Sequence, residues 1–406
     1  MEDKKKTGCT RREFIKGTAI GAGAAAVAGS GLLSACATTG GAHRGNSPIF
    51  QPTRIGSLTL KNKMIRAAMA DRRYDANGNP TSNLPGMYGD EAAGGVAMTI
   101  TGGISVLRDD ATNTVFPAFT EASQVSAYRV ATDAVHKNGG KLCAQIMIVG
   151  TAGGPFDVTR ISREDIRRCV DGFARTTVLA RDAGYDAVEF HFAHGYLGAQ
   201  MWSHYRNTRT DEYGGSAENR ARFAFEALEA VRRALGRDFP LIAKINSDEY
   251  IVREGSSPEE TNFYVQGLAD RGIDAVEISG IGWNVRFAKD ILSKEDQNFF
   301  ARPARSIARS VNVPLILTGG IRNVEMAEEA LKHNDKLVGF GMARTLLFEP
   351  DLPLKWQKDT NYTPQCISCQ WCTEDPERTR VNYIATSDPV ARMNFRATCV
   401  FNRNRA

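Results

Sequence analysis

The stretch AGYDAVEFHFAHGYL at residues 183–197 carries the clearest structural signal in this chain of 406 residues. Its centre, Ala187–Phe192, is one of several short β-rich runs dominated by apolar residues, which are typical of strands covered on both faces. After this run and Ala193 come histidine, glycine and tyrosine at residues 194–196. We therefore predict a buried strand that ends in a polar loop.

Seven more runs of this kind surround the stretch, and amphipathic segments separate them. Ser216–Leu235 is one such segment, with large apolar residues at helical spacing. Eight βα units in a body of this size predict an α/β fold, a (β/α)8 TIM barrel. An open doubly wound sheet is the alternative, disfavoured because no G-x-G-x-x-G turn follows the first strand. The other predicted strands are Met64–Ala70, Val96–Val106, Lys141–Val149, Leu241–Asn246, Ala275–Gly280, Pro314–Gly320 and Lys336–Ala343.

Composition and charge exclude several classes of protein. With 42% hydrophobic and 24% charged residues, the chain is neither disordered nor collagen-like. Of its net charge of +5, a share of +3 lies in residues 1–16 and +4 in residues 391–406, so the body between them is near −2. A nucleic-acid-binding protein usually carries its basic excess on the folded body, so we expect no nucleic acid partner.

Residues 1–36 have the parts of an export signal. A paired-arginine segment, TRREFIK at residues 10–16, precedes an apolar Gly/Ala-rich run, and LSAC at residues 33–36 resembles the lipobox of bacterial lipoproteins. A retained transmembrane anchor is disfavoured because the run is short and weakly apolar for a ~30 Å hydrocarbon core. We predict a twin-arginine lipoprotein-type signal peptide at 1–36 and a flexible linker at 37–48. The protein would then be periplasmic or cell-surface, held on the membrane by a lipid anchor.

Polar residues gather at the predicted strand ends, where TIM barrels place their active sites. His191 and His194 could both donate N–H groups to one oxygen of a substrate. Tyr196, with an ordinary phenol pKa near 10, suits delivery of a proton. Each of the three could instead be a structural residue, but three within six positions favour a site. A metal site is disfavoured because no carboxylate or third histidine lies at ligand spacing.

The last two predicted strands end in a candidate phosphate site. Gly319 and Gly320 would let backbone N–H groups approach an anion, and Arg344, after Ala343, could bind it with two hydrogen bonds. An ordinary turn beside a surface arginine is the alternative. Lys244, at the end of the fifth strand, could stabilise an anion in the barrel mouth or be a solvated lysine.

Taken together, these motifs resemble the Old Yellow Enzyme family of FMN-dependent oxidoreductases. The resemblance runs from about Phe50 to Trp356. It is strongest in residues 183–197 and continues through NTRTDEYGGS at 207–216 and ENR at 218–220. The resemblance implies an FMN-binding barrel at 49–356 that reduces the C=C bond of an activated alkene.

In this family, hydride passes from flavin N5 to the β-carbon of the alkene. The resemblance then implies that Tyr196 protonates the α-carbon while His191 and His194 hold the substrate oxygen. Gln145 would face the pyrimidine edge of the flavin and Lys244 its N1 and C2 atoms. The full set implied to bind FMN is Ala68, Met69, Ala70, Gly103, Gln145, His191, Lys244, Gly319, Gly320, Ala343 and Arg344.

The sequence departs from the family at the end of the first strand. The family usually has Ala-Pro-Met followed by Thr or Cys, whereas this chain has AAMA at residues 67–70. Ala70 therefore brings neither a hydroxyl nor a thiol to the O4/N5 edge of the flavin. We expect a lower flavin reduction potential as a result.

Cysteines mark the predicted C-terminal extension, residues 357–406. Cys366, Cys369 and Cys372 have the spacing C-x-x-C-x-x-C, and Cys399 follows after 26 residues. This pattern resembles the iron–sulfur ligands of trimethylamine dehydrogenase and the 2,4-dienoyl-CoA reductases. The resemblance implies a [4Fe–4S] cluster, with a zinc site or a remnant without metal as the alternatives.

Two other functions remain open from the sequence. One is an FMN-dependent amine dehydrogenase or demethylase, in which Trp202, Tyr205 and Trp283 could form an aromatic cage around a cation. The other is a non-catalytic flavin-binding surface lipoprotein. Since NAD(P)H is not expected outside the cytoplasm, an exported reductase would receive electrons through the cysteine cluster from a cytochrome or quinone-linked partner.

Overall fold

The computed structural model describes residues 46–110, 116–150, 156–247, 256–280, 297–366 and 372. The predicted signal peptide and residues 37–45 of the predicted linker lie outside these ranges, as do Trp283, Cys369 and Cys399. The predictions of export and lipidation therefore stay predictions.

Eight parallel strand positions close into a barrel, which confirms the predicted fold. Each strand pairs with its neighbour along the chain, and the first barrel strand pairs with the last, with Met64 opposite Phe340. A short antiparallel hairpin precedes the barrel. The hairpin strands are β1 (Thr53–Ile55) and β2 (Leu58–Leu60), and the barrel strands are β3 (Met64–Arg66), β4 (Met98–Ile100) with β5 (Ile104–Ser105), β6 (Lys141–Met147), β7 (Ala187–Phe192), β8 (Leu241–Asn246), β9 (Ala275–Ser279), β10 (Leu315–Thr318) and β11 (Leu337–Met342).

Helices cover the outside of the barrel. The helix predicted at Ser216–Leu235 forms over Ala217–Leu235, because the Ser216 hydroxyl accepts the N–H of Asn219 and caps it. Among helices of the described ranges, none is both long and apolar enough to cross a lipid bilayer. The helices are α1 (Asn83–Ala93), α2 (Val125–Lys137), α3 (Arg163–Asp182), α4 (Leu197–Trp202), α5 (Ala217–Leu235), α6 (Pro258–Asp270), α7 (Ala301–Ser310), α8 (Val324–His333), α9 (Arg344–Phe348) and α10 (Leu352–Lys358).

The run Val96–Val106, predicted as one strand, is divided between β4 and β5. The N–H of Gly102 donates to the Asp71 carboxylate at 2.5 Å instead of to a neighbouring strand. Asp71 is itself fixed by Arg66, with 2.7 Å between the charged groups. A Cβ atom on Gly102 would lie 2.8 Å from the Asp71 backbone nitrogen, so only glycine fits this crossing.

The barrel interior is layered, because alternate residues of a strand face the same side. Buried apolar residues of the strands pack on the hairpin, whose Ile55, Leu58 and Leu60 belong to the same hydrophobic cluster. Two residues further along the strands, the interior becomes polar. This second layer contains Gln145, Glu189, Lys244, Glu277 and Thr318. The polar layer therefore lies towards the carboxyl ends of the strands, where the predicted site residues are.

Candidate active site

The structure brings His191, His194 and Tyr196 together at the end of β7. The ring centroids of the two histidines lie 4.8 Å apart at an interplanar angle of 86°. The Tyr196 ring lies 5.0 Å from the His191 ring and 5.7 Å from Phe116. The three polar side chains that the sequence singled out therefore form one cluster.

His194 adopts a backbone conformation that is uncommon for a residue other than glycine, with φ of 60°. Its backbone N–H donates to Asn246 Oδ1 at 3.0 Å, and its Nε2 lies 2.8 Å from the Ser279 hydroxyl oxygen. These contacts come from β8 and β9, so two neighbouring strands fix both the turn and the ring. A strained residue held by its surroundings in this way is typical of functional sites.

Both histidines are neutral at physiological pH. Burial, together with the nearby His194 and the charge of Lys244, lowers the pKa of His191 well below its usual value. Burial and the charge of Lys244 lower the pKa of His194 to about 3. Since Nδ1 of His191 accepts the Ala193 N–H at 3.3 Å, the proton of the neutral ring is on Nε2. His191 can therefore donate one hydrogen bond to a ligand.

Tyr196 keeps its proton. Burial raises the pKa of Tyr196 to about 12, even though the charge of Arg72 acts in the opposite direction. Arg72 is half-buried, and its φ of 55° is also left-handed. The phenol therefore stays protonated in a shielded environment and is available as a proton donor.

A cavity of about 210 Å³ opens at the carboxyl ends of β3 and of β8 to β11. Seven predicted residues line it: Ala68, His194, Lys244, Gly319, Gly320, Ala343 and Arg344. The other predicted residues are not part of its lining. A larger cavity, of about 620 Å³, lies among the outer helices and is lined by residues such as Phe263 and Arg271, with none of the predicted site residues.

The glycines of the predicted phosphate site are required by their surroundings. Gly319 and Gly320 have φ of 97° and 73°. A Cβ atom on Gly319 would lie 2.8 Å from the Phe299 ring, and one on Gly320 would lie 2.5 Å from the Asn298 backbone nitrogen. The backbone therefore forms a cradle that side chains would fill, and Arg344 supplies positive charge beside it. This donor set suits a phosphate group.

Two predicted residues are buried and do not line the cavity. Gln145 is buried and its Nε2 donates to Glu189 Oε1 at 2.6 Å. A Cβ atom on Gly103 would lie 2.2 Å from Met147 Sδ. Gly103 is therefore needed for packing between β5 and β6. Met69 and Ala70 are half-buried in the segment after β3.

Several residues at the site were missed by the sequence reasoning. Glu189 and Glu277 are completely buried inside the barrel. Their signal was present in the sequence, because both stand as the acid of an Ala-Val-Glu run in the middle of a buried strand. Asn246 and Ser279, which hold His194, gave no comparable signal, since small polar residues are ordinary at strand ends.

Arg322 links the cavity to the C-terminal segment. It lines the cavity, and its Nη2 donates to the Cys366 carbonyl oxygen at 2.5 Å and to that of Pro364 at 3.3 Å. The described residues contain no group of three or more His, Cys, Asp or Glu side chains arranged to hold a metal ion. Because Cys369 and Cys399 lie outside these residues, the cysteine-cluster prediction is untested.

A family model described as NADH:flavin oxidoreductase / NADH oxidase matches residues 48–362. The chain belongs to this family. The predicted resemblance to the Old Yellow Enzymes is thus confirmed, and FMN is the cofactor. Gly319, Gly320, Arg344 and Lys244 line one cavity. The glycine cradle and Arg344 fit the phosphate of FMN. Lys244 fits an electron-rich edge of the flavin ring.

Relatives of this flavin oxidoreductase differ in length. A metal reductase from Desulforamulus reducens is 29% identical over 349 residues, which cover 81% of this chain and 52% of the relative. The chain therefore spans about half the length of that protein. An NADPH dehydrogenase from Clostridium acetobutylicum is 30% identical over 320 residues, covering 74% of this chain and 92% of the relative.

The fold is also that of solved structures. The Old Yellow Enzyme homologue from Zymomonas mobilis superposes with a TM-score of 0.65 at 24% sequence identity. The superposition covers 76% of this chain and 92% of that one. At this level of sequence identity, the superposition shows only that the two proteins share the barrel fold.

Proposed function

We propose that this flavin oxidoreductase reduces an activated C=C bond. The observation that carries the proposal is the cluster of His191, His194 and Tyr196 at the barrel mouth, with the His194 and Tyr196 rings 4.8 and 5.0 Å from the His191 ring. All three side chains are neutral at pH 7. Such a cluster suits a substrate that gains negative charge on oxygen and then needs a proton on carbon.

In the proposed reaction, bound FMN supplies a hydride from N5. His191 donates a hydrogen bond from Nε2 to a carbonyl, carboxylate or nitro oxygen of the substrate. As the alkene is reduced, negative charge develops on this oxygen, so the fixed donor binds the transition state more tightly than the ground state. His194 is held by Asn246 and Ser279 and packs beside His191. We propose that it helps to hold the same substrate oxygen.

Tyr196 is proposed to deliver the proton to the α-carbon. Its position at the start of α4 places it beside the His191 ring. Because the pKa of its phenol is raised to about 12, the proton leaves only for a strongly basic carbon. The same burial excludes water that would protonate the substrate without control.

The packing of Trp202 and Tyr205 does not support the aromatic cage predicted for an amine dehydrogenase. Trp202, proposed as a cage wall, is buried and stacks on Tyr264 with 4.4 Å between ring centroids. The guanidinium carbon of Arg220 lies 5.4 Å from the centroid of the Trp202 ring. The cation beside this ring is therefore an arginine of the chain itself. Tyr205 is 50% exposed. These two residues therefore do not form a cage in the described structure.

We further propose that the protein is exported by the twin-arginine route, anchored by lipid at Cys36, and reduced by a cytochrome or quinone-linked partner. Electrons would enter through a [4Fe–4S] cluster on Cys366, Cys369, Cys372 and Cys399. The contact between Arg322 and the Cys366 carbonyl oxygen supports this path, because Arg322 also lines the candidate flavin cavity.

A single-turnover experiment tests the catalytic proposal. The FMN-loaded protein is reduced photochemically and mixed with 2-cyclohexen-1-one, and flavin absorbance is followed. Replacing Tyr196 with Phe should slow reoxidation by about 10²–10⁴-fold, the usual range for a general acid. Flavin content should not change. Equal rates for the variant and the wild type would contradict the role of Tyr196.

A further inference from the structure

Lys244 and two glutamates form a buried ionic cluster beneath the cavity. Lys244 Nζ lies 2.8 Å from Glu277 Oε1, and the two side chains are 2% and 0% exposed. Thr318 donates its hydroxyl proton to the same Glu277 oxygen at 2.5 Å. On the far side, Gln145 Nε2 donates to Glu189 Oε1. Lys244 and Thr318 line the cavity, whereas the glutamates lie below its lining.

Each glutamate has one oxygen that needs a partner. Glu189 Oε2 and Glu277 Oε2 are both buried, and neither finds a donor among the described residues when both carboxyl groups are ionised. Two carboxylates cannot hydrogen-bond to each other, since both only accept. A single proton between them satisfies both oxygens, as in other pairs of carboxyl groups that share a site.

The electrostatics assign this proton to Glu189. Burial and the charge of Glu277 raise the pKa of Glu189 well above its usual value. Burial alone would also raise the pKa of Glu277, but the charge of Lys244 and the hydrogen bonds from Glu189 and Thr318 lower it. The pair thus carries one negative charge, and Lys244 carries one positive charge.

We propose that Glu189 and Glu277 share one proton and together neutralise Lys244, which makes Glu277 a positioning residue that keeps the reduction potential of bound FMN low. Reduction adds negative charge to the flavin ring, so an uncompensated cation beside the ring would favour the reduced form. A carboxylate 2.8 Å from that cation offsets its field. The inference rests on FMN binding and not on the proposed alkene substrate.

Vibrational spectroscopy tests the shared proton without any turnover. The infrared difference spectrum between the wild type and Glu189→Gln should contain the C=O stretch of a protonated carboxyl group, shifted in D₂O. Glu349→Gln is the matched control, since Glu349 is a buried acid that follows α9 and pairs with Lys355. The control substitution must not remove the band that Glu189→Gln removes. Absence of the Glu189 band would overturn the proposal.

The midpoint potential of bound FMN tests the consequence. Glu189→Gln removes no charge, so its potential should equal that of the wild type. The double variant Glu189→Gln/Glu277→Gln leaves Lys244 uncompensated and should bind reduced FMN at least tenfold more tightly relative to oxidised FMN, a rise of about 30 mV for two electrons. The double variant is needed because Glu189 can ionise and replace Glu277 in the single variant.

Two results would overturn the assignment of charge. One is an unchanged or lower potential in the double variant, and the other is an equal rise in Glu189→Gln alone. If the double variant does not fold, the infrared spectrum of Lys244→Met tests the assignment of charge instead. Without the cation, the pair should take up a second proton, and the carboxyl C=O band should grow relative to the wild type. A band that does not grow would contradict the proposal.

Discussion

A few protonation states at single residues determine what the mouth of this barrel can do. His191 and His194 are neutral because they are buried near Lys244, and Tyr196 stays protonated because its phenol is buried. In water, histidines would titrate near pH 6.5. The site therefore offers neutral hydrogen-bond donors over a wide range of pH, where exposed residues would change charge.

The pH dependence of the single-turnover rate follows from these states. His194 gains a proton only as pH falls towards about 3, and the pKa of His191 also lies well below its usual value. Tyr196 loses its proton only as pH rises towards about 12. The rate of flavin reoxidation by 2-cyclohexen-1-one should therefore be constant between about pH 5 and 9. Stopped-flow measurement in this range checks it. A break near pH 6.5 would show that one histidine titrates as an exposed residue.

At the scale of strands and loops, the buried Arg66–Asp71 ion pair lies beside the break between β4 and β5. The Asp71 carboxylate pairs with Arg66 and also accepts hydrogen bonds from the Tyr88 hydroxyl and the Gly102 N–H. It holds the segment after β3, which carries the predicted flavin-contacting residues Ala68 and Met69, against the break between β4 and β5. The Asp71 contacts therefore both stabilise the fold and position the site residues that follow β3.

Removing the Asp71 carboxylate should be costly. Asp71→Ala leaves the fully buried Arg66 without its closest partner, and breaking a buried pair in this way costs about 3–5 kcal/mol. Asp109→Ala is the matched control, because the Asp109–Arg168 pair is about half exposed and should contribute about 0–1 kcal/mol. Urea denaturation of both variants measures the difference. Similar losses in the two variants would refute the structural role of Asp71.

The sequence predicted the eight strand positions because each strand is a local run of β-forming residues. It could not predict the division of Val96–Val106, which depends on Asp71, a residue 31 positions away from Gly102. His191, His194 and Tyr196 were predictable because they are close together in the chain. The pairing of Glu189 with Glu277 depends on strands that are not neighbours in the barrel, so only the closed fold reveals it.

For the whole molecule, the proposed route of electrons links the C-terminal cysteines to the barrel. If a [4Fe–4S] cluster is present, anaerobically purified protein should contain about four irons per FMN, and Cys369→Ser should lose iron while it retains the flavin. Metal analysis and visible spectra of both proteins measure this. Stoichiometric zinc, or the absence of metal, would exclude the cluster.

The proposed electron donor gives a separate prediction. Reduction of the flavin by a low-potential cytochrome or a quinol-linked donor should be faster than reduction by NADPH. Anaerobic stopped-flow mixing with each donor compares the rates. Rapid reduction by NADPH, with none by the other donors, would remove the argument for an extracytoplasmic redox partner.

The most direct test of the central claim compares the two directions of flavin chemistry in the wild-type protein. Photoreduced protein is mixed with 2-cyclohexen-1-one, and oxidised protein is mixed with trimethylamine, under anaerobic conditions. The account predicts rapid reoxidation by the alkene, formation of cyclohexanone, and no reduction by the amine. A flavin that stays reduced with the alkene but is reduced by the amine would contradict the assigned function.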